Sequence, residues 1–194
     1  MISKRTISRY KILLMLLVVM GVGVSFTECP PISINPLYSD ETEVFEPVFL
    51  GTWTAGDESL VVEKRYEYYP VTYREGGDPM NPLEVHLVQL GQHYYVDIYP
   101  EDAGVIDKGY FPYIPTHAFL AVELEGDVLK LGMLHNDWLQ EKLESGEDIQ
   151  YAHYADESNC PFLIGSTEEL QRFFLKYGED EDAFEWDEFQ RQKR

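Results

Sequence analysis

Three side chains on two neighbouring segments of the sequence, His86, His93 and Asp97, are residue types that serve metal or acid–base sites. Residues 83–100 alternate apolar and polar positions on either side of a central Gly-Gln, which predicts a hairpin of two strands. The hairpin places His86 roughly opposite Tyr95 or Asp97, so imidazole and carboxylate groups share one face. A polar surface strand would give the same pattern. The three residues define one alternative function, a hydrolase or metal-dependent enzyme using a His86/His93/Asp97 cluster.

Other catalytic signatures are missing from the sequence. The five histidines are scattered singly, without a His-x-His or HExxH motif, and no Gly-x-Ser-x-Gly nucleophile elbow occurs. The 35 acidic residues offer so many carboxylate pairs that no pair stands out as a glycosidase centre. We therefore predict neither a catalytic residue nor a cofactor, and we favour a non-catalytic binding or structural role.

The stretch 44–59 is a candidate for ligand binding. Its apolar run enters Gly51-Thr52-Trp53 and ends at a Gly-Asp turn, which is typical of the first strand of a sheet. Trp53 either closes the floor of a cavity for a small apolar ligand or packs as a large core residue. An apolar cavity near Trp53 would favour the first alternative.

The elements that position these residues are mostly short strands. From about residue 46, β-rich runs alternate with turns that contain glycine and proline. Two helices follow late in the chain, one over residues 136–146 and one over residues 166–178. The second helix opens with a Ser166/Glu169 capping box. The expected fold is a β-rich α+β domain, an antiparallel meander that forms a curved sheet or small barrel with the two late helices packed on it.

Composition predicts the domain boundaries. Residues 1–28 join four basic residues to the apolar run 12–26, which predicts a signal peptide or a membrane anchor. Residues 29–45 are expected to form a Pro-rich tether and residues 46–178 a single β-rich domain. Residues 179–194 form an acidic-aromatic tail that either packs back on the sheet or docks elsewhere.

The two cysteines leave three alternatives open. Cys29 follows the leader at the place where bacterial lipoproteins carry a lipidated cysteine, although Glu28 precedes it. Cleavage by the ordinary signal peptidase after Ser25 or Thr27 fits the residues equally well. In an oxidising compartment Cys29 would pair with Cys160, the only other cysteine. A lipid on Cys29 excludes that disulfide, and two unpaired thiols are the third alternative.

The charge of the chain restricts its partners. The formal net charge is -20, which repels nucleic acid and anionic lipid. We therefore expect no nucleic-acid partner. We expect contact with a membrane through the N-terminus, and a small apolar ligand or an envelope protein as partner.

Gly51-Thr52-Trp53 at the start of a meander resembles the first strand of lipocalins and of the wider calycin barrels. The resemblance implies an antiparallel barrel with a ligand cup. It also implies a basic residue near the end of the barrel that packs over Trp53. The strand expected to be last, residues 160–165 (CPFLIG), contains no basic residue.

A second resemblance covers more of the chain and concerns a group of uncharacterised bacterial envelope lipoproteins. The shared order of motifs is Cys29, Asn35-Pro36-Leu37 with Ser39-Asp40, Leu50-Gly51-Thr52-Trp53 and Ser166-Thr167-Glu168-Glu169-Leu170. The resemblance implies a lipid on Cys29 and a membrane-anchored location in the bacterial cell envelope. A secreted soluble protein is the alternative, and no chemistry is implied.

Overall fold

Antiparallel pairing closes eight strands into a barrel in the computed structural model, which describes residues 31–66, 68–100, 115–153 and 161–193. The strands in chain order are β1 Ile32–Ser33, β2 Glu43–Val44, β3 Gly51–Ala55, β4 Glu58–Val62, β5 Tyr69–Glu75, β6 Asp78–Pro79, β7 Leu83–Leu90, β8 His93–Pro100, β9 His117–Glu125, β10 Val128–Leu134, β11 Tyr151–His153, β12 Pro161–Leu163 and β13 Phe184–Arg191. The barrel consists of β3, β4, β5, β7, β8, β9, β10 and β13. The expected β-rich α+β fold with a small barrel is confirmed.

Hairpins with glycine turns build most of this barrel. Strands β7 and β8 pair over their whole length, and Gly91 between them has a φ of 64°. Residues with a Cβ rarely adopt this left-handed conformation, so glycine allows the tight reversal that the sequence predicted. The register places His86 directly opposite Asp97.

The C-terminal segment closes the barrel. Strand β13 pairs along its length with β10 and, at its end, with β3 through Arg191 and Trp53. The segment expected as a tail that either packs back on the sheet or docks elsewhere therefore supplies a barrel strand, Phe184–Arg191. The expectation that residues 160–165 hold the last strand is wrong, because β12, Pro161–Leu163, pairs with β1 and β11 outside the barrel and β13 follows it in the chain.

The strand registers also determine the width of the barrel. Followed from β3 through β13, β10, β9, β8, β7, β5 and β4, the paired positions return to β3 displaced by about 12 residues along the strand. A large stagger tilts the strands and widens the barrel. Eight-stranded barrels enclose either packed side chains or one small ligand.

Two helices pack on the outer wall of the barrel, as predicted. They are α1, Asn136–Glu144, and α2, Thr167–Tyr177, and two short 3-10 helices cover Pro47–Phe49 and Glu181–Ala183. The predicted capping box is present, since Ser166 Oγ accepts from the Glu169 amide and Glu169 accepts from the Ser166 amide. No helix in the described part of the chain is long and apolar enough to cross a membrane.

Residues 31–46, which we call the N-terminal strap, lie against the outer wall. Strand β1 pairs with β9, and β2 pairs with β7. Leu37 between them is fully buried in the outer core with residues of α2. Most of the segment expected as a free tether is thus part of the folded domain. Cys29, Cys160 and the leader lie outside the described residues.

Candidate functional site

The barrel encloses a cavity of about 180 Å³. Its lining consists of Phe49, Leu60, Val62, Tyr69, Val71, Tyr73, Leu83, Val85, Leu87, Val96, Ile98, Leu120, Val122, Leu129 and Leu131. None of these side chains is charged. The Tyr69 hydroxyl is already engaged, because it accepts from the Glu46 amide at 2.6 Å and donates to the Glu46 carbonyl at 3.1 Å. The cavity therefore presents hydrocarbon and aromatic surface to a ligand.

Trp53 stands in the cluster that closes one end of this cavity. It is fully buried and packs with Val122, Leu129 and Phe49, which line the cavity. Its indole N–H donates to the Phe49 carbonyl at 2.9 Å, which ties the 3-10 helix to the first barrel strand. Trp53 itself is not part of the lining. It supports the residues that form the lining at this end.

Arg191 holds the same end together from the last strand. Its guanidinium carbon lies 4.0 Å from the centre of the Trp53 ring, a cation–π contact. The same guanidinium donates to the Leu50 carbonyl at 3.0 Å and to the Val48 carbonyl at 2.6 Å. The basic residue over the tryptophan is thus present, but on β13. This barrel end, with the 3-10 helix, Trp53 and Arg191, is called the plugged end below.

The opposite end of the barrel carries carboxylates at inward-facing positions. Glu58 lies two residues before the lining residue Leu60, and Glu75 lies two residues after Tyr73. Alternation along a strand therefore places both on the inner face at the rim. Burial, followed by a hydrogen bond to Glu58, raises the pKa of Tyr73 to about 12. A tyrosine–carboxylate pair thus marks the end of the apolar interior.

Strand β13 contributes two further carboxylates to this rim. Asp187 is two residues before Phe189, which packs inside the barrel, and it pairs with the lining residue Leu131. Glu185 follows on the same face. Strand β13 pairs with β3 only through its last two residues, so the part of β13 that carries Glu185 and Asp187 extends beyond the β3–β4 turn. We call Glu58, Tyr73, Glu75, Glu185 and Asp187 the acidic rim.

A larger depression of about 570 Å³ involves both faces of β8 and β9. Its lining includes three carboxylates, those of Glu46, Glu123 and Glu125. The Lys130 ammonium lies 2.8 Å from Glu125 and 3.8 Å from Glu123, so part of this charge is neutralised within the protein. The barrel cavity is the more uniform site and is the one developed below.

Asp97, one of the predicted site residues, holds the strap to the barrel wall. It is fully buried, and its two carboxylate oxygens accept from His117 Nδ1 and from the Leu37 amide, both at 2.6 Å. A histidine oriented by a buried carboxylate is also the pattern of a general base. The hydroxyl of Ser33, the register partner of His117, is fully buried and accepts from the Asn35 amide. The Asp97 carboxylate on β8 thus links Leu37 of the strap to His117 on β9.

His86, the register partner of Asp97, makes a separate set of polar contacts. Its Nδ1 lies 2.5 Å from Glu43 on the strap, and its Nε2 lies 2.8 Å from Glu84 on its own strand. The Tyr38 ring stacks on the imidazole with a centroid distance of 3.9 Å. Both ring nitrogens are thus engaged by carboxylates, and the aromatic face is covered by the strap.

The structure does not bring the three predicted residues into one site. His86 and Asp97 are opposite in register but bind different partners, and His93 lies 4.0 Å from the exposed Glu179. Across the described ranges, no group of three or more histidine, cysteine, aspartate and glutamate side chains is arranged to hold a metal ion. The hairpin was predicted, whereas the strap residues that engage it come from distant sequence.

Comparison with known proteins finds no match to this chain among protein-family models, curated proteins or solved structures. The functional argument therefore rests on the geometry of the cavity and its two ends. Arg191 and Asp187, which shape those ends, were not identified from the sequence. The alternation Asp187, Phe189, Arg191 on one face was the available signal, and the surrounding acidic residues obscured it.

Proposed function

We propose that this protein is an exported, membrane-tethered envelope protein that binds a small apolar ligand inside its barrel and catalyses no reaction. The observation that carries the proposal is the 180 Å³ cavity with an uncharged lining, supported at one end by Trp53. An apolar cavity of about 150 Å³ is large enough to take up benzene. The barrel cavity therefore suits one ring or a chain of about six carbons.

The plugged end supports the calycin-like interpretation of this barrel. A basic residue that packs over Trp53 is what the resemblance implies, and Arg191 occupies that place. Its two hydrogen bonds to the segment before β3 join the first and last barrel strands. Trp53 and Arg191 thus close one end of the barrel without being part of the cavity lining.

The tether proposal rests on the leader and on the position of the strap. Cys29 precedes Pro31 by two residues, and Pro31 is fully buried at the start of β1. Two residues span at most about 7 Å. A lipid on Cys29 would therefore hold the domain directly against the membrane surface. The start of β9, which pairs with β1, would lie on the membrane side.

Binding of a neutral six-carbon probe tests the ligand proposal. Burial of six methylene-sized groups is worth about 5 kcal/mol, which corresponds to a Kd on the order of 0.1–1 mM for hexanol. Val71→Phe, which fills the lining, should abolish binding measured by calorimetry or ligand-observed NMR. Thr72→Phe adds the same ring to the outer face of the same strand and should bind as the wild type does. Equal binding by both variants would refute the cavity as the site.

The intact mass of the protein purified from membranes tests the tether. A mass that begins at Cys29 and includes acyl chains is expected. A mass that begins at Phe26 or Glu28 and is lower by two hydrogens would instead indicate a secreted domain with a Cys29–Cys160 disulfide.

A further inference from the structure

We infer that the barrel ligand is a small amphiphile with a cationic amine head, whose hydrocarbon part fills the cavity and whose head lies against Asp187 at the acidic rim. The inference rests on the proposed function and deepens it, because it names the charge and the orientation of the ligand. It is carried by the contrast between the uncharged lining and the carboxylates of the acidic rim, which occupy inward-facing positions at the end of the barrel opposite the plugged end.

Asp187 is the carboxylate most closely linked to the cavity. It pairs with Leu131, a lining residue, and Phe189 on the same face of β13 is buried inside the barrel. An apolar residue at position 187 would continue the interior, as Phe189 does. The half-buried carboxylate at this position instead gives the end of the cavity a polar boundary.

The residues that the structure describes supply no cation to Asp187 or Glu185. Burial, followed by the nearby Glu185 carboxylate, raises the pKa of Asp187. Among the described residues, no lysine, arginine or histidine forms an ion pair with Asp187 or Glu185. Lys130, on β10, points to the outer face and pairs with Glu125 and Glu123, and Arg191 lies at the plugged end.

An ammonium group would relieve both unfavourable features of this rim. It would offset the cost of burying the Asp187 carboxylate and reduce its repulsion with Glu185. A carboxylate-headed ligand would add to that repulsion, and the net charge of -20 would oppose its approach. A neutral head would gain nothing from the charge. The rim therefore selects among ligands with the same hydrocarbon part.

Three probes with the same six-carbon chain separate these effects: hexylamine, hexanol and hexanoate, titrated into the full chain at pH 7. We expect hexylamine to bind about two- to fivefold more tightly than hexanol, the size of a partly exposed ion pair. Hexanoate should bind at least about tenfold more weakly than hexanol. Asp187→Asn should remove the preference for hexylamine and leave hexanol binding unchanged.

Glu188→Gln is the matched control, because it removes one charge from the neighbouring residue on the outer face of β13. It should retain the hexylamine preference, which separates the Asp187 contact from the effect of net charge. If wild-type protein binds hexanol but prefers no head group, or if Asp187→Asn keeps the preference, the inference is refuted while the binding proposal stands. If hexanol does not bind wild type at all, the binding proposal itself fails.

Discussion

Replacing Arg191 with methionine should show how much of the stability depends on the plugged end. Methionine retains most of the apolar stem but removes the cation over Trp53 and the donors to the Leu50 and Val48 carbonyls. Hydrogen bonds from a charged donor contribute about 1.5–3 kcal/mol each, and a partly shielded cation–π contact about 1 kcal/mol. The Arg191 side chain is 24% exposed, so solvent compensates for part of the loss.

We expect the free energy of unfolding to fall by about 3 kcal/mol in Arg191→Met, a large share of the 5–15 kcal/mol typical of domains. Urea denaturation followed by far-UV circular dichroism measures this change. Arg191→Lys should give an intermediate loss, because an ammonium retains the charge but cannot donate to both carbonyls in a fixed fork.

Lys193→Met is the control for this experiment. Lys193 pairs with Asp127, as Arg191 also does, but its side chain is 84% exposed. An exposed pair of this kind contributes little, so the midpoint of unfolding should not change. If Arg191→Met unfolded at the same urea concentration as Lys193→Met, the plug would not join the first and last strands in the way described.

Three further substitutions test packing, capping and charge. Gly178→Ala should destabilise the domain by about 1–3 kcal/mol in urea denaturation, because the new Cβ would lie 2.7 Å from the Tyr95 hydroxyl. An unchanged midpoint would contradict this contact. Ser166→Ala removes the cap of α2 and should cost about 1 kcal/mol, whereas equal stability would show that the capping box contributes nothing. Asp187→Asn should stabilise the ligand-free protein at pH 7 but not below about pH 4. The pKa of Asp187 is raised in the folded protein, so the folded state is most stable when this carboxyl is protonated and loses stability as pH rises through that pKa. Denaturation at both pH values checks the sign, and equal gains at both would refute it.

The antiparallel hairpins and the helices could be predicted because their signals are local. The β7–β8 pair follows from strict alternation around a Gly-Gln turn, and the register agrees with the predicted face of His86 and Asp97. The cap of α2 was visible as Ser166 and Glu169, three residues apart. Each of these features is determined by residues within a few positions of one another.

The packing of the strap and the contacts of Asp97 and His86 were not predicted, because they depend on residues that are distant in the sequence. Asp97 binds the Leu37 amide, and His86 binds Glu43, so the partners lie many tens of residues earlier in the chain. The prolines and weak periodicity of residues 31–46 are typical of a linker, but the pairing of β1 with β9 and of β2 with β7, together with the burial of Leu37, makes the segment part of the domain. Tertiary packing here outweighs the local signal.

The closing strand was hidden for a reason that bears on function. Its inward positions change from Arg191 and Phe189 at the plugged end to Asp187 and Glu185 at the other, so the alternation that identifies a strand is lost halfway along. A strand that only filled a core would keep apolar residues at all these positions. Local sequence rules are broken where a site has requirements that packing alone does not impose. The same two carboxylates that concealed β13 in the sequence are those that should distinguish an amine from an alcohol at the rim.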